Sequence, residues 1–258
     1  MTALEQLFSL KGKKAIVTGG AQGIGKIVAA RMAEVGADVA IFDTQLKEAE
    51  AAAKEIAILT GRKVLGYQIN VKDPAQMNER IQKAAEDFRG MDLLFNSTGT
   101  EEDEAPAETV SEKPAYDSDK NPDREYYMAS EFAHYLKKNG RKGSIVNLAS
   151  VSGPDTDETK KEAPCSVSRE DIIRMTKSLA AEYREDGIRV NSLSPGYMYT
   201  EPSEKLFKER QETRMYRTPA GRYGKPEELC GAVIYLFSDS ASFTTGTDLI
   251  VDGGYAGI

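Results

Sequence analysis

The feature that most constrains this chain is a glycine-rich turn near its amino end. An apolar run, Ala15-Ile16-Val17, precedes the turn and reads as a buried strand, and the apolar periodicity of a helix follows it to about Val35. Three glycines, Gly19, Gly23 and Gly25, lie between them. Glycine lets a backbone approach a pyrophosphate closely, and a helix N-terminus offers N–H groups and a partial positive charge. The glycine pattern alone is weak evidence, but its position between a strand and a helix predicts a dinucleotide site.

Strand and helix patterns alternate along the rest of the chain. The predicted elements are strand 38–43, helix 46–59, strand 63–69, helix 74–88, strand 93–96, a helix ending near 138, strand 144–148, a helix through 172–183, strand 188–193, helix 226–237 and strand 249–251. Alternation at this spacing indicates an α/β fold, a Rossmann-type doubly wound parallel sheet with helices on both faces. Because the chain shows neither repeats nor a linker, we predict a single domain over residues 1–258.

Two acidic or polar segments interrupt the alternation. Residues 101–123 crowd nine carboxylates among three prolines, and such a segment cannot bury itself, so we predict a long solvated loop. Asn121 is then a plausible N-cap with Pro122 at the first position of the next helix. Residues 154–162 are predicted to form a second polar loop, and residues 197–217 a mobile stretch.

Charge and cysteine usage exclude several kinds of partner and site. The net charge of −7 argues against nucleic acid or an anionic membrane as the main partner, because either needs a concentrated basic face. No run approaches the roughly 20 apolar residues of a membrane span, and the amino end lacks a leader pattern, so we expect a cytoplasmic protein with a small-molecule substrate. Cys165, Cys230 and His134 are too far apart in sequence for metal-ligand spacing, so we expect no metal site and no Ser/His/Asp triad.

A carboxylate about 20 residues after the glycines supports the dinucleotide prediction. Asp43 ends the second predicted strand, where a carboxylate accepts hydrogen bonds from both ribose hydroxyls of the adenosine half. The same charge would repel a 2′-phosphate, and neither Gln22 nor Thr44 is a basic residue that would attract one. We therefore expect NAD(H) or NADP(H) as cofactor, with NAD(H) favoured.

With motifs spread over nearly its whole length, the sequence resembles the short-chain dehydrogenase/reductase family. The matching segments are Thr18 to Gly25, Asn70-Val71, Asn96-Ser97-Thr98-Gly99, Ser150-Val151-Ser152-Gly153, Arg189-Val190-Asn191, Pro195-Gly196 with Thr200, and Phe243-Thr244-Thr245-Gly246 leading into Asp252-Gly253-Gly254. The two ends of the chain are most similar to the fungal sorbose reductase and mannitol dehydrogenase branch. The resemblance implies an NAD(P)-dependent oxidoreductase that forms a homo-oligomer, a tetramer or a dimer.

The resemblance also assigns cofactor contacts along the chain. The implied cofactor-binding residues are Gly19, Gln22, Gly23, Ile24, Gly25, Asp43, Asn70, Val71, Asn96, Ser97, Thr98, Gly99, Arg169, Pro195, Gly196 and Thr200. Within this set, Pro195, Gly196 and Thr200 would hold the nicotinamide end. Residues 197–217 would form a lid over the substrate.

The catalytic pattern of the family is only half present. Family members reduce a carbonyl with an asparagine, a serine, a proton-donating tyrosine and a lysine, and the resemblance places Asn121 and Ser150 at the first two positions. Cys165 stands where the tyrosine is expected and Arg169 where the lysine is expected. A thiol reaches less far than a phenol, and an arginine keeps its charge but cannot relay protons as a lysine can. Alcohol–ketone interconversion is therefore expected to be slow.

Three functions fit this pattern. The first is reduction of a cyclic imine or iminium, a substrate that needs little or no acid catalysis because hydride addition to C=N⁺ gives a neutral amine directly. Loss of the tyrosine and lysine also resembles fungal reductases of indole alkaloid biosynthesis that guide a Diels–Alder closure. The second is an ordinary polyol or ketose dehydrogenase in which Tyr197 or Tyr199 donates the proton. The third is a catalytically silent dinucleotide-binding protein. Covalent catalysis by Cys165 is disfavoured, because no histidine lies near it in sequence to act as base.

Overall fold

The computed structural model describes residues 2–71, 73–97, 123–150, 163–199 and 215–257, with the backbone alone for Asp123 and residues 163–169. Seven strands are β1 (Lys14–Thr18), β2 (Asp38–Asp43), β3 (Val64–Gln68), β4 (Leu93–Asn96), β5 (Gly143–Leu148), β6 (Ile188–Pro195) and β7 (Asp248–Val251). They form one parallel sheet in the order β3-β2-β1-β4-β5-β6-β7.

Helices cover both faces of this sheet. They are α1 (Ala3–Leu7), α2 (Gly23–Glu34), α3 (Leu46–Thr60), α4 (Pro74–Phe88), α5 (Asp123–Lys138), α6 (Ala163–Glu182) and α7 (Cys230–Phe237). One buried apolar cluster joins α2, α3 and α7 to strand residues such as Val17 and Ile41, and a second joins α4, α5 and α6 to the alternate residues, such as Ile16 and Phe42. Successive strand side chains point to opposite faces, so apolar runs fill both layers.

The predicted doubly wound parallel sheet with helices on both faces is confirmed. Strands 38–43 and 93–96 and helix 74–88 have the predicted bounds. The helix predicted over 226–237 ends at Phe237 as predicted, but its first turn, Pro226–Leu229, is a 3₁₀ turn that leads directly into α7. Here the Glu228 carboxylate accepts a hydrogen bond from the Lys225 N–H at 2.8 Å, which tightens the turn. Helix α1 was not predicted, because five exposed residues held by a Thr2–Glu5 capping box show no apolar periodicity.

Some predicted segments lie outside the described residues. These are the acidic segment 101–122 with the N-cap at Asn121, the polar segment 154–162, and residues 200–214 of the predicted lid. No helix in the described ranges is long and apolar enough to cross a membrane.

The order of the strands indicates where a ligand-binding crevice is expected. The chain runs from β1 outward to β3 and then returns to β4 on the other side of β1, so the order reverses between β1 and β4. In open α/β sheets a ligand binds beyond the carboxyl ends of the strands at such a reversal. The glycine-rich turn follows β1 there, Ser97 follows β4, and Ser150 lies two residues past β5.

A buried chain of hydrogen bonds runs across the sheet at this edge. The Asn96 side chain is fully buried; its Oδ1 accepts a hydrogen bond from the Thr18 hydroxyl at 3.3 Å, and its Nδ2 donates to Asn147 Oδ1 at 3.1 Å and to the Glu125 carbonyl at 2.8 Å. Asn147 Nδ2 then donates to Thr176 Oγ1 at 3.0 Å. The chain of bonds thus connects β1, β4 and β5 with α5 and α6.

Removing the Asn96 side chain tests this connection. Asn96→Ala removes three hydrogen bonds and leaves their buried polar partners without a partner at this position. We therefore expect the free energy of unfolding to fall by about 2–4 kcal/mol. Asn139→Ala is the control, because Asn139 is exposed and, among the described residues, its side chain donates to the Tyr135 carbonyl on the preceding helix; we expect a loss of about 0.5–1 kcal/mol. Urea unfolding of both variants measures the difference, and equal losses would contradict a special role for Asn96.

Candidate dinucleotide and catalytic site

Two of the loop glycines lie where a larger side chain would overlap neighbouring backbone atoms. Gly19 has a left-handed backbone with φ of +60°, and a methyl group added there would overlap the Ser97 carbonyl oxygen. A methyl group at Gly25 would overlap the Gly19 carbonyl oxygen, so only glycine lets α2 pack this closely on the loop. The glycines therefore draw the end of β1, the start of α2 and the end of β4 together.

The amino end of α2 is open. Helix α2 begins at Gly23, its N-cap Gln22 is exposed and extended, and no side chain in the described ranges caps it. By contrast, Asp73 caps α4 and accepts hydrogen bonds from the Ala75 and Gln76 N–H groups. The first N–H groups of a helix need partners from outside it, and the positive end of the helix favours an anion. The residue types and backbone here fit a pyrophosphate.

Asp43 lies beside the glycine-rich loop, as the spacing implied. Its Oδ2 accepts a hydrogen bond from the Ala21 N–H at 3.2 Å, and its Oδ1 accepts one from the Gln45 N–H at 3.2 Å. The half-buried carboxylate therefore braces the loop against the end of β2. A carboxylate oxygen has a second lone pair, so this side chain can still accept a ribose hydroxyl.

Residues after β4, β5 and β6 complete the same edge. The Ser97 N–H donates to Thr18 Oγ1 at 2.8 Å, which ties this turn to β1. Ser150 is half-buried, and the preceding residue is held by a 2.8 Å hydrogen bond from its N–H to the Leu193 carbonyl. Gly196 donates its N–H to the Val251 carbonyl at 3.0 Å, and a methyl group there would lie 2.6 Å from the Cα of Asp252. These three segments thus lie at the same edge of the sheet as the glycine-rich loop after β1 and Asp43 at the end of β2.

Helix α6 carries two of the predicted catalytic positions. Its backbone includes Cys165 and Arg169, and its later turns present Ile172 and Thr176 to the interior, where both are buried. Positions 165 and 169 precede Thr176 by about three and two helical turns, so they share its face of the helix. Because Thr176 accepts a hydrogen bond from Asn147, the buried polar chain fixes the rotation of this helix relative to β5.

The described part of the predicted lid begins with a fixed tyrosine. The Tyr197 carbonyl accepts a hydrogen bond from the Gly224 N–H at 2.9 Å, and the Tyr199 N–H donates to the Gly224 carbonyl at 2.8 Å. The Tyr197 ring meets the buried Tyr255 ring edge to face at a centroid distance of 5.2 Å. Tyr199 is 47% exposed. Of the two tyrosines considered as alternative proton donors, Tyr197 is therefore the more firmly held and Tyr199 the more exposed.

A cavity of about 410 Å³ opens at the carboxyl ends of β2 and β3. Its lining residues are Thr44, Gln68, Ile69, Asn70, Gln76 and Arg80. The predicted residue Asn70 is exposed there, whereas Val71 is buried in the core. Gln76 and Arg80 were missed from the sequence, because helical spacing on α4 gives no sign that these polar residues face a cavity. Their proximity in sequence to Asn70 was the one available signal.

The remaining predicted residues have less structural description. Thr98, Gly99, Asn121 and Thr200 lie outside the described residues, and Cys165 and Arg169 are described by backbone alone. Cys230 is a core residue: burial raises the pKa of its thiol to about 11. His134 is exposed on α5 with its ring edge on to Tyr183. Within the described ranges, no group of three His, Cys, Asp or Glu side chains could hold a metal ion.

Comparison with known proteins agrees with this geometry. The family model described as enoyl-(acyl carrier protein) reductase matches residues 19–256. The sorbose reductase of Candida albicans is 37% identical over 253 residues, covering 96% of this chain and 89% of the relative. The NADP-dependent mannitol dehydrogenase of Hypocrea jecorina is 36% identical over 255 residues, covering 98% and 95%.

A solved structure shares the whole fold. The crystal structure of a short-chain type dehydrogenase/reductase from Mycobacterium marinum superposes with a TM-score of 0.91 at 31% identity, covering 98% of this chain and 99% of that one. The sheet order, the glycine-rich loop and these similarities agree over nearly the full length. The chain belongs to the short-chain dehydrogenase/reductase family, whose members are NAD(P)-dependent oxidoreductases.

Proposed function

We propose that this protein uses a nicotinamide dinucleotide to reduce an imine or iminium, rather than to interconvert alcohols and ketones. The observation that carries the proposal is the presence of Cys165 and Arg169 at the α6 positions where the family is expected to have tyrosine and lysine. Cyclic imines or iminium ions of specialised, alkaloid-type metabolism are the proposed substrate class. An intramolecular cycloaddition of the product is proposed to follow at the same substrate site, because it needs shape and exclusion of water rather than another reacting group.

The chemistry explains why the substitutions select this reaction. The bound reduced nicotinamide supplies a hydride. Hydride addition to a carbonyl leaves an oxyanion that must gain a proton, whereas addition to C=N⁺ gives a neutral amine with no proton transfer. The Ser150 hydroxyl can donate a hydrogen bond to the lone pair that the nitrogen gains as the amine forms, and Arg169 keeps a positive charge for the nicotinamide ribose. The nine carboxylates of residues 101–123 give a negative field that favours a cationic substrate.

Different residues are proposed to bind different parts of the cofactor. The open amino end of α2, with Gly19, Gln22 and Ile24 around it, is proposed to bind the pyrophosphate, and Asp43 to bind the adenosine ribose. Pro195 and Gly196 are proposed to flank the nicotinamide. The charge of Asp43 mildly favours NAD(H), whereas the mannitol dehydrogenase relative is named as NADP-dependent. We therefore propose that the site accepts both dinucleotides.

The oligomer and the cytoplasmic location stay predictions. Large apolar side chains that a partner copy could cover are exposed, and among them are Tyr126 and Tyr127 on α5 and Phe243 and Ile250 near the carboxyl end. A dimer or tetramer is the proposed state. Sedimentation velocity distinguishes these states from a monomer.

Restoring the family residues tests the proposed chemistry. In the double variant Cys165→Tyr/Arg169→Lys, we expect reduction of ketoses to rise by about 10²–10⁴-fold, the usual contribution of a general acid, while imine reduction changes by only a few fold. Nicotinamide absorbance is followed with cyclic imines, iminium salts, ketoses and simple ketones as acceptors. Cys165→Tyr alone is the control for a phenol without its lysine. Equal turnover of ketoses and imines by the natural chain would contradict the proposal.

A second candidate is a polyol or ketose dehydrogenase. The names of the sorbose reductase and mannitol dehydrogenase relatives favour it. Its candidate proton donor is Tyr197, which lies two residues past the end of β6 with its ring against Tyr255. If this candidate holds, Tyr197→Phe lowers ketose turnover by about 10²-fold or more, and the exposed-residue control Tyr199→Phe leaves it unchanged. Tight cofactor binding without turnover of any acceptor would instead favour a catalytically silent binding protein.

Gly25→Ala tests the cofactor loop. The added methyl group would overlap the Gly19 carbonyl, so the loop and α2 must separate, and we expect NADH to bind at least about tenfold more weakly. Gly231→Ala is the matched control, since a methyl group on that helical glycine meets open space. NADH fluorescence titration measures both variants. Unchanged affinity in Gly25→Ala would place the dinucleotide elsewhere.

A further inference from the structure

The cavity beside Asp43 contains a basic residue that the dinucleotide motifs do not include. The cavity begins at Thr44, the residue after Asp43, and Gln68 Nε2 closes part of its wall by donating to the Thr44 carbonyl at 3.1 Å. Arg80 reaches it from the second turn of α4 and is the one charged side chain among the described residues that line it. The volume of about 410 Å³ lies in the range of small-molecule sites.

The polar interactions of Arg80 with the described part of its own chain are weak. Among the residues that the structure describes, its ion pair is with the adjacent Glu79, at 3.3 Å, and that carboxylate side chain is 68% exposed, so solvent screens the pair. Its Nε is buried, yet it has no hydrogen-bond partner among the residues that the structure describes. A buried N–H without a partner is costly, so a ligand that supplies an acceptor would be stabilised here.

Two other arginines of the protein, in contrast to Arg80, have a structural role. Arg62 bonds the Asp38 carboxylate at 2.7 Å and also the Ala37 carbonyl. Arg141 likewise bonds one carboxylate and one carbonyl, at the opposite end of the sheet from the cofactor loop. Each of these guanidinium groups holds two elements together. Arg80 makes no such pair of bonds with the described part of the chain, although it lines a cavity that the other two do not.

The location identifies the ligand chemistry. A dinucleotide on the glycine-rich loop places its adenosine ribose next to Asp43, and the cavity opens one residue further on. The planar guanidinium group matches two phosphate oxygens at once. The Asp43 carboxylate also accepts two backbone N–H groups, whose dipoles reduce its repulsion of a nearby anion.

We propose that Arg80 binds the 2′-phosphate of NADP(H) and so lets this protein use NADP(H) in spite of Asp43. The inference rests on the proposed dinucleotide site and deepens it. Arg80 is then a residue that determines cofactor specificity, and it does so from α4 rather than from the ends of β1 or β2. Gln76 positions the neighbouring turn, because its side-chain oxygen accepts the Asn70 N–H.

Paired nucleotides that differ by one phosphate test the proposal. We would titrate the full chain with NADPH and NADH, and with 2′,5′-ADP and 5′-ADP as fragments. In Arg80→Gln we expect the affinity for NADPH and 2′,5′-ADP to fall about tenfold or more, while that for NADH and 5′-ADP changes less than about threefold. Arg80→Lys should recover part of the loss, because it restores the charge without the planar fork.

Lys83→Gln is the matched control on the same helix. It removes the same charge one turn later, where Lys83 pairs with Asp87 at 2.8 Å, and should not change the preference between the two dinucleotides. Equal weakening of NADH and NADPH by Arg80→Gln, in a variant whose thermal unfolding is unchanged, would overturn the role of Arg80. Failure of the natural chain to bind either dinucleotide would instead overturn the proposed site itself.

Discussion

The buried amide of Asn96 is the interaction on which the rest of the site depends. It joins the ends of β1, β4 and β5 at the point where the strand order reverses, and through Asn147 it reaches Thr176 on α6. Buried polar groups are costly unless every partner is present, so such a chain of hydrogen bonds favours one arrangement of its elements. The glycine-rich loop and the helix that bears positions 165 and 169 are thereby held in fixed relation.

The sequence predicted the sheet well because its signals are local. Buried parallel strands are apolar runs, the alternation with helices fixes the fold class, and parallel strands bring their carboxyl ends to one edge. The pairing of Asn96 with Asn147 was not predictable, since a polar residue in an apolar strand does not specify its long-range partner. Arg80 was missed because an arginine on an amphipathic helix ordinarily faces solvent.

The position of Asp43 was predictable from the sequence, but its effect on the choice of cofactor was not. The spacing from the glycines placed this carboxylate beside the loop, and the structure agrees. Its bonds to the Ala21 and Gln45 N–H groups could not be read from spacing, because they depend on how the turn after β2 folds back. Cofactor choice therefore depends on the balance between Asp43 and a cation from α4, rather than on the motif alone.

The central claim is that hydride transfer proceeds here without a proton donor. The most direct measurement is single-turnover reduction of a cyclic imine, at a pH at which the imine is protonated in solution, with the transferred hydrogen of the cofactor replaced by deuterium and, separately, with the solvent replaced by D₂O. We predict that deuterium on the cofactor slows the step and that D₂O does not. Comparable slowing by D₂O would show that a proton moves with the hydride and would contradict the claim.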